Sequence, residues 1–383
     1  MSWNRLIQRA IATRKELHKI PEPCWKEVAT SAAIGKRLNQ LDISWRPCTK
    51  TGIVAHIGKG KSGDHLALRT DIDGLVLEET AAVPWKSTVP GCMHGCGHDG
   101  HMATMLATAE WLKKHEDTLP GPVSFLFQPA EEGGYGAKAM IADGALEGVD
   151  RIFGWHNWPS IPFGQAICPA GPIMAANASF QVVLQGSGGH ASQPELCRDP
   201  VLAAAALTQG LQQIVSRRLP PQQAVVISVT SIDARSTETV IPDQAILAGS
   251  IRMETTGDLQ LIGELLESTS KSIAAGYNVA AEVEFSPRYP AVVNDPAEAG
   301  TVQEILGEVL GKSWLDKETL IPLMASEDFS YYLDKIQGSF VIAGAGDDGL
   351  FSIPCHNSRY IFNDKLIEPM TRVMVRLAGF IPQ

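Results

Sequence analysis

Cys96 and His98 stand two apart in a glycine-lined run, Gly95-Cys96-Gly97-His98-Asp99, and the adjacent acids Glu131 and Glu132 follow further along the chain. A thiolate, an imidazole and paired carboxylates are the donors a divalent ion needs to activate water beside a protein base. Glu131 and Glu132 end the apolar run Val123–Phe127, which reads as a buried strand. Packing does not explain two neighbouring acids there. Each, buried without a partner, would cost several kcal/mol or take up a proton. The residue types point to a metallohydrolase.

Other donors extend the set. His156 follows the strand-like run Arg151–Trp155, and His356 follows Ser339–Ala343 and a Gly344-Ala345-Gly346-Asp347 loop. Cys92, His94, Cys96, His98 and His101 alone would suit a structural zinc knuckle. The distant histidines argue for a catalytic site instead, since structural sites draw on closely paired ligands. Five candidate ligands, Cys96, His98, Glu132, His156 and His356, exceed one tetrahedral shell. Two divalent metal ions sharing a ligand, with a water between them, use the set better. Its mixed softness suits Zn2+ or Mn2+ and leaves Co2+ or Ni2+ open. Asp71, ending the run His65–Arg69, is expected to accept a hydrogen bond from a ligating imidazole and fix its tautomer, whereas Asp73 also reads as a turn former. Asp99 reads as an acid at a helix start, and His94 and His101 as hydrogen-bonded neighbours. His190, in Gly188-Gly189-His190, is a substrate-contact candidate because the glycines permit close backbone approach. Arg252 is a candidate clamp for a substrate carboxylate.

Strand-like runs ending in reactive side chains alternate with helical patterns, as in Met102, Met105, Leu106, Ala109 and Leu112 after Asp99. The fold class is therefore α/β, a catalytic domain with a central, mostly parallel sheet and the site at its strands' carboxyl ends. From Ser179 the order changes. Strand 179–184, helix 200–218, strands 225–229 and 245–251, helix 259–275 and strand 281–285 form β-α-β-β-α-β, an inserted ferredoxin-like α+β module. The expected domains are 1–176 and 289–383 for the catalytic part and 177–288 for the insertion. A last helix carries Leu366, Ile367, Met370, Val373, Met374 and Leu377, with Asn363 or Asp364 as N-cap. Leu6, Ile7, Ala10, Ile11, Arg14 and Leu17 keep helical spacing, so the N-terminus reads as an ordinary helix rather than a transit peptide.

The 383 residues favour two domains, and 44% hydrophobic residues give them a large core. A net charge of -10 without a basic stripe excludes nucleic acid as a partner. No apolar run is long enough to span a membrane. Seven irregularly spaced cysteines argue against a disulfide framework and fit a reducing cytoplasm.

Taken in order, Arg14–Glu22, Leu68–Asp73, Met93–Asp99, Gln128–Gly133, Gly189–Ala191, Ser326–Phe329, His356-Asn357 and Phe362–Asp364 resemble the M20 metallopeptidase family. The resemblance is to its amidohydrolase branch of aminoacylases, hippurate hydrolases and indole-acetyl amino-acid hydrolases, and it runs nearly end to end. It implies that Cys96, His98, Glu132, His156 and His356 are metal ligands and Glu131 the general base. Asp71 matches the acid of the first motif, and His190 the histidine that reaches a substrate carbonyl. The inserted module would be a lid that mediates homodimerisation. The implied reaction is hydrolysis of an N-acyl amino acid. The alternatives are a carboxypeptidase or dipeptidase, and a catalytically silent metal-dependent binding protein. The presence of Glu131 argues against the silent reading, and a ligand role for Cys96 against a cysteine hydrolase. Two positions depart from the family pattern. Cys355 precedes His356 where Leu is commoner and reads as a passive buried thiol, and Ile361 stands where Asp is usual.

Overall fold

The computed structural model describes residues 2–347 and 349–380. It divides into two compact units, one of residues 1–173, 293–320 and 328–383 and one of residues 174–292 and 321–327.

The first unit is built on a seven-stranded sheet. Its spatial order is Ser44–Cys48, Gly52–Ile57, Val123–Gln128, Leu66–Asp71, Arg151–Pro162, Gln337–Gly346 and Ala166–Ile167. The four strands Val123–Gln128, Leu66–Asp71, Arg151–Pro162 and Gln337–Gly346 run parallel, and each outer pairing is antiparallel. Every residue of Leu66–Asp71 and Val123–Gln128 is buried, as strands covered on both faces require. The helix His98–Lys114 is buried on nearly all sides and packs against this sheet and the helices Trp3–His18 and Ile367–Leu377. Its small residues allow the approach. A Cβ on Gly100 would lie 2.2 Å from the Phe362 ring.

Trp3–His18 buries Leu6, Ile7, Ala10, Arg14 and Leu17 along one stripe, as their spacing predicts. The last helix begins at Ile367 without a side-chain cap, and Asn363 instead caps the short 3-10 turn Asp364–Leu366 before it, accepting from Lys365 N at 3.1 Å. His156 departs from expectation. Its strand runs on to Pro162, so the histidine sits in mid-strand. The ladder to Leu66–Asp71 ends at Leu68–Phe153, while pairing to Gln337–Gly346 continues past His156. His156 therefore lies where the sheet opens between two strands that have ceased to pair.

The second unit carries a four-stranded antiparallel sheet ordered Val225–Asp233, Gln244–Met253, Ala176–Gln185, Ala280–Pro287. With the helices Pro200–Gly210 and Leu259–Gly276 it makes the ferredoxin-like arrangement. Burial alternates along Ala176–Gln185 and Gln244–Met253, so one face carries the core. The unit also takes residues 321–327, which sequence pattern leaves with the first domain. Their tie is backbone pairing, since Ala175 N donates to both Leu323 O and Ala325 O. The predicted helix 200–218 is regular to Gly210 and then passes into a π-helical turn over Ile214–Arg218. That glycine lies against the second helix, where a Cβ would sit 2.2 Å from Ile273 Cδ1. Asp199 caps the helix by accepting from Val201 N and Leu202 N.

Candidate functional site

Four segments of the first unit carry the donors: the loop before His98–Lys114, the turn after Val123–Gln128, the strand Arg151–Pro162 and the segment before Phe362. Gly97 turns the first into its helix at φ +94°, and a Cβ there would meet Asn157 Oδ1 at 2.2 Å and Tyr360 Oη at 2.6 Å. Only glycine fits. The turn aims Cys96 and His98 to one side. Cys96 Sγ lies 3.2 Å from His156 Nε2 and 3.3 Å from His356 Nε2. Glu132 Oε1 lies 3.1 Å from His356 Nε2 and 4.0 Å from His98 Nε2. Cys96 with His98 and His156, and Cys96 with Glu132 and His356, are both groups compact enough to hold an ion.

Two buried atoms test the fit. His98 Nε2 has no hydrogen-bond partner, although a buried polar atom left so costs about 1–3 kcal/mol, and Glu132 Oε1 meets only His356 Nε2, itself a candidate ligand. Both face the Cys96 group, and one cation between them would satisfy both. The thiol, imidazole and carboxylate donors suit a divalent transition metal.

The supporting shell differs in part from expectation. His98 Nδ1 donates to the backbone carbonyl of Asp73 at 2.9 Å, so Asp73 rather than Asp71 fixes its tautomer. Asp71 instead bonds His101 Nδ1 at 2.7 Å and accepts from Arg69 Nη1 at 3.0 Å, with His98 Nε2 3.7 Å away. Asp73 ends beside the ligand because its Oδ2 accepts from Glu132 N at 3.0 Å and from Cys24 Sγ at 3.3 Å. His101 has the hydrogen-bonded role predicted for it, between Asp71 and Asn157. His94 does not. It is buried with neither ring nitrogen partnered, and burial holds it neutral, its pKa lowered to about 4. Asp99 binds His18 Nδ1 at 2.8 Å and lies 3.5 Å from Arg14 Nη1. It is part of a buried ionic cluster, which sequence spacing did not reveal.

Charge is arranged unevenly over the donors. Burial disfavours a charged His98, but Asp71, Asp73 and Glu132 outweigh it and raise its pKa to about 10. Burial and the neighbouring His101 push His156 down, so it stays neutral. Hydrogen bonding to Cys355, burial and Glu132 push the Cys96 thiol up. Burial works against ionised Asp71 too, but His98, His101 and Arg69 hold it well below the usual carboxylate range. Glu131 is buried, and its Oε1 accepts from Asp328 N at 3.4 Å. Sequence pattern gave no role to Arg69, Gln128 and Asp328, which form a buried hydrogen-bond network next to Glu131. Arg69 Nη2 donates to Asp328 Oδ1 at 3.0 Å, and Gln128 Nε2 to the same oxygen at 2.7 Å. Asn157 was missed as well, and its Nδ2 donates to Tyr360 Oη at 2.8 Å.

Cys355 is half-buried, with its thiol 3.9 Å from Cys96 O and 3.6 Å from Asn157 Nδ2. None of the seven cysteines is in a disulfide. In the second unit, His190 is exposed and its Nδ1 bonds Ser192 Oγ at 2.8 Å. Arg252 Nη1 donates to Ser326 Oγ at 2.7 Å.

The model of peptidase family M20/M25/M40 matches residues 67–379. The chain belongs to this family. It falls in the amidohydrolase branch and is a metal-dependent amidohydrolase by class. An N-acetyl-L-cysteine deacetylase of Bacillus subtilis is 38% identical over 91% of this chain and 83% of its own. The hippurate hydrolase of Campylobacter jejuni is 33% identical over 95% and 94% respectively. Among solved structures, a dinuclear metal-binding M20 peptidase of Bacillus subtilis superposes with a TM-score of 0.83. It is 31% identical and covers 99% of this chain and 100% of its own. No helix among the described residues is long and apolar enough to cross a membrane.

Proposed function

We propose that the protein hydrolyses the amide bond of N-acyl amino acids, releasing a carboxylate and a free amino acid. The observation that carries this reading is the meeting of Cys96, His98, Glu132, His156 and His356 beside the buried carboxylate of Glu131. These five residues would hold two divalent ions, and ions bound there polarise the amide carbonyl and acidify water.

Glu131 takes a proton from the attacking water and returns it to the leaving amine, acting first as base and then as acid. Its hydrogen bond from Asp328 N orients the carboxylate for that transfer. Asp71, kept ionised by His98, His101 and Arg69, supplies negative charge beside the ligands. On the second unit, His190 is assigned to the substrate oxyanion, where one donor is worth about 3–4 kcal/mol. Arg252 is assigned to the substrate carboxylate. The relatives support the N-acyl class, one being named for an acetylated and one for a benzoylated amino acid. We also take the working form to be a cytoplasmic homodimer paired through the second unit.

The test is amino acid release from N-acetyl, N-benzoyl and indole-acetyl amino acids and from dipeptides, with Zn2+, Mn2+, Co2+ or Ni2+ supplied. Faster turnover of an N-acyl amino acid than of any dipeptide is expected. Cleavage of dipeptides alone would make the protein a peptidase, and no turnover with any metal would end the reading.

A further inference from the structure

Glu27 stands at the start of the helix Val28–Gln40, where an acid ordinarily caps the first turn, yet its side chain makes no such bond. Glu22 does the capping, its Oε1 and Oε2 accepting from Ala29 N at 3.1 Å and Thr30 N at 2.9 Å. Glu27 is fully buried and turned inward. Its Oε1 accepts from Trp25 N at 3.0 Å and Ala130 N at 2.9 Å, and its Oε2 from Thr51 Oγ1 at 2.6 Å.

Ala130 is buried and left-handed at φ +56°, a conformation its Cβ disfavours. Such a residue persists only where its surroundings over-determine it. Here both ends are held. The carbonyl of Ala130 accepts from Gly134 N and Gly136 N at 3.2 Å each, and its N–H goes to Glu27. The next two residues are Glu131 and Glu132, so the direction taken at Ala130 fixes where both acids leave the strand.

We propose that Glu27 is a positioning residue for this pair, its carboxylate holding Ala130 in the left-handed turn that aims Glu131 and Glu132 into the site. The inference rests on the function proposed above, in that Glu131 is taken as the base and Glu132 as a ligand. Two backbone N–H groups converge on Glu27 Oε1 and the Thr51 hydroxyl on Oε2. A Gln can keep both backbone bonds through its carbonyl oxygen and turn its N–H2 to the Thr51 hydroxyl, which also accepts, but it loses the charge that strengthens them.

The test compares the parent with Glu27→Ala, Glu27→Gln, Ala130→Gly and the Glu27→Ala/Ala130→Gly double variant. The readouts are Zn2+ affinity by competition with a chromophoric chelator, the visible spectrum of the Co2+-loaded protein, and kcat and KM on the best N-acyl substrate. Glu27→Ala is expected to weaken Zn2+ binding about tenfold and lower kcat about a hundredfold at near-parental KM, the scale of loss for residues that orient ligands. Glu27→Gln should lose less. Glycine adopts positive φ freely, so Ala130→Gly in the Glu27→Ala background should recover most of both losses and restore the Co2+ spectrum. A double variant no better than Glu27→Ala, or a Glu27→Ala protein that matches the parent, would overturn the proposal. If Glu27→Ala does not fold, Glu27→Gln and Thr51→Val carry the same comparison, with several-fold losses that Ala130→Gly should recover. If the parent hydrolyses no N-acyl amino acid, the functional reading fails, while Zn2+ affinity and the Co2+ spectrum still decide the role of Glu27.

Discussion

Lowering the pH should strip metal from this protein steeply, because two donors must each give up a proton to bind. Burial opposes a charge on His98, but Asp71, Asp73 and Glu132 raise its pKa to about 10. Cys96 is raised as well, by Cys355, burial and Glu132. At pH 7 both are therefore protonated in the metal-free protein, and binding releases both protons. The sign follows. Affinity rises with pH as long as the pH lies below both values. Each released proton contributes about 1.4 kcal/mol per pH unit. Two give about 2.7 kcal/mol, or roughly a hundredfold in Kd per unit, between pH 6 and 8. His156, pushed down by burial and His101, is already neutral and adds no slope. His356 is raised chiefly by its contact with Glu132, so a proton it gives up on binding makes the dependence steeper still. Zn2+ titration calorimetry in paired buffers of different ionisation enthalpy would count the protons directly. Cys96→Ala should lower the slope by one proton. A pH-independent Kd, or an unchanged slope in Cys96→Ala, would refute the reasoning.

Three further outcomes are expected. Glu131→Gln should keep its metal content by elemental analysis and lose about two to four orders of magnitude in kcat, the range for a lost general base; near-normal turnover would remove Glu131 from that role. Arg69→Ala leaves Asp71 and Asp328 buried without their guanidinium, and should cost about 3–5 kcal/mol in urea unfolding. Gly100→Ala places a Cβ against the Phe362 ring and should cost about 1–3 kcal/mol, with Phe362→Leu recovering part of the lost thermal stability.

Local pattern accounts for what the sequence made legible. The Cys96–His98 run, the Glu pair and the ferredoxin-like order are each written in contiguous residues, and the structure brings the donors of the first unit together. Supporting contacts are not local. Glu27 reaches Ala130 across 103 positions, Arg69 reaches Asp328 across 259 and Asn157 reaches Tyr360 across 203. No period or spacing announces such pairs. His156 was misplaced relative to its strand because Asn157–Pro162 continues to pair on one side only, a property of the neighbouring strands and not of the run itself. The contact to the His98 imidazole was expected of Asp71 and is made by Asp73, for a similar reason. Their order along the strand end suggested the nearer acid, whereas the turn at Asp73 brings its carbonyl to His98.

The most direct test is to strip the protein with a chelator and return Zn2+ in measured steps while following amino acid release from an N-acyl substrate. Negligible turnover is expected at the start, then full activity as about two ions per chain bind, the complement a two-ion site requires. A thoroughly demetallated protein that hydrolysed the substrate at the parental rate would contradict it.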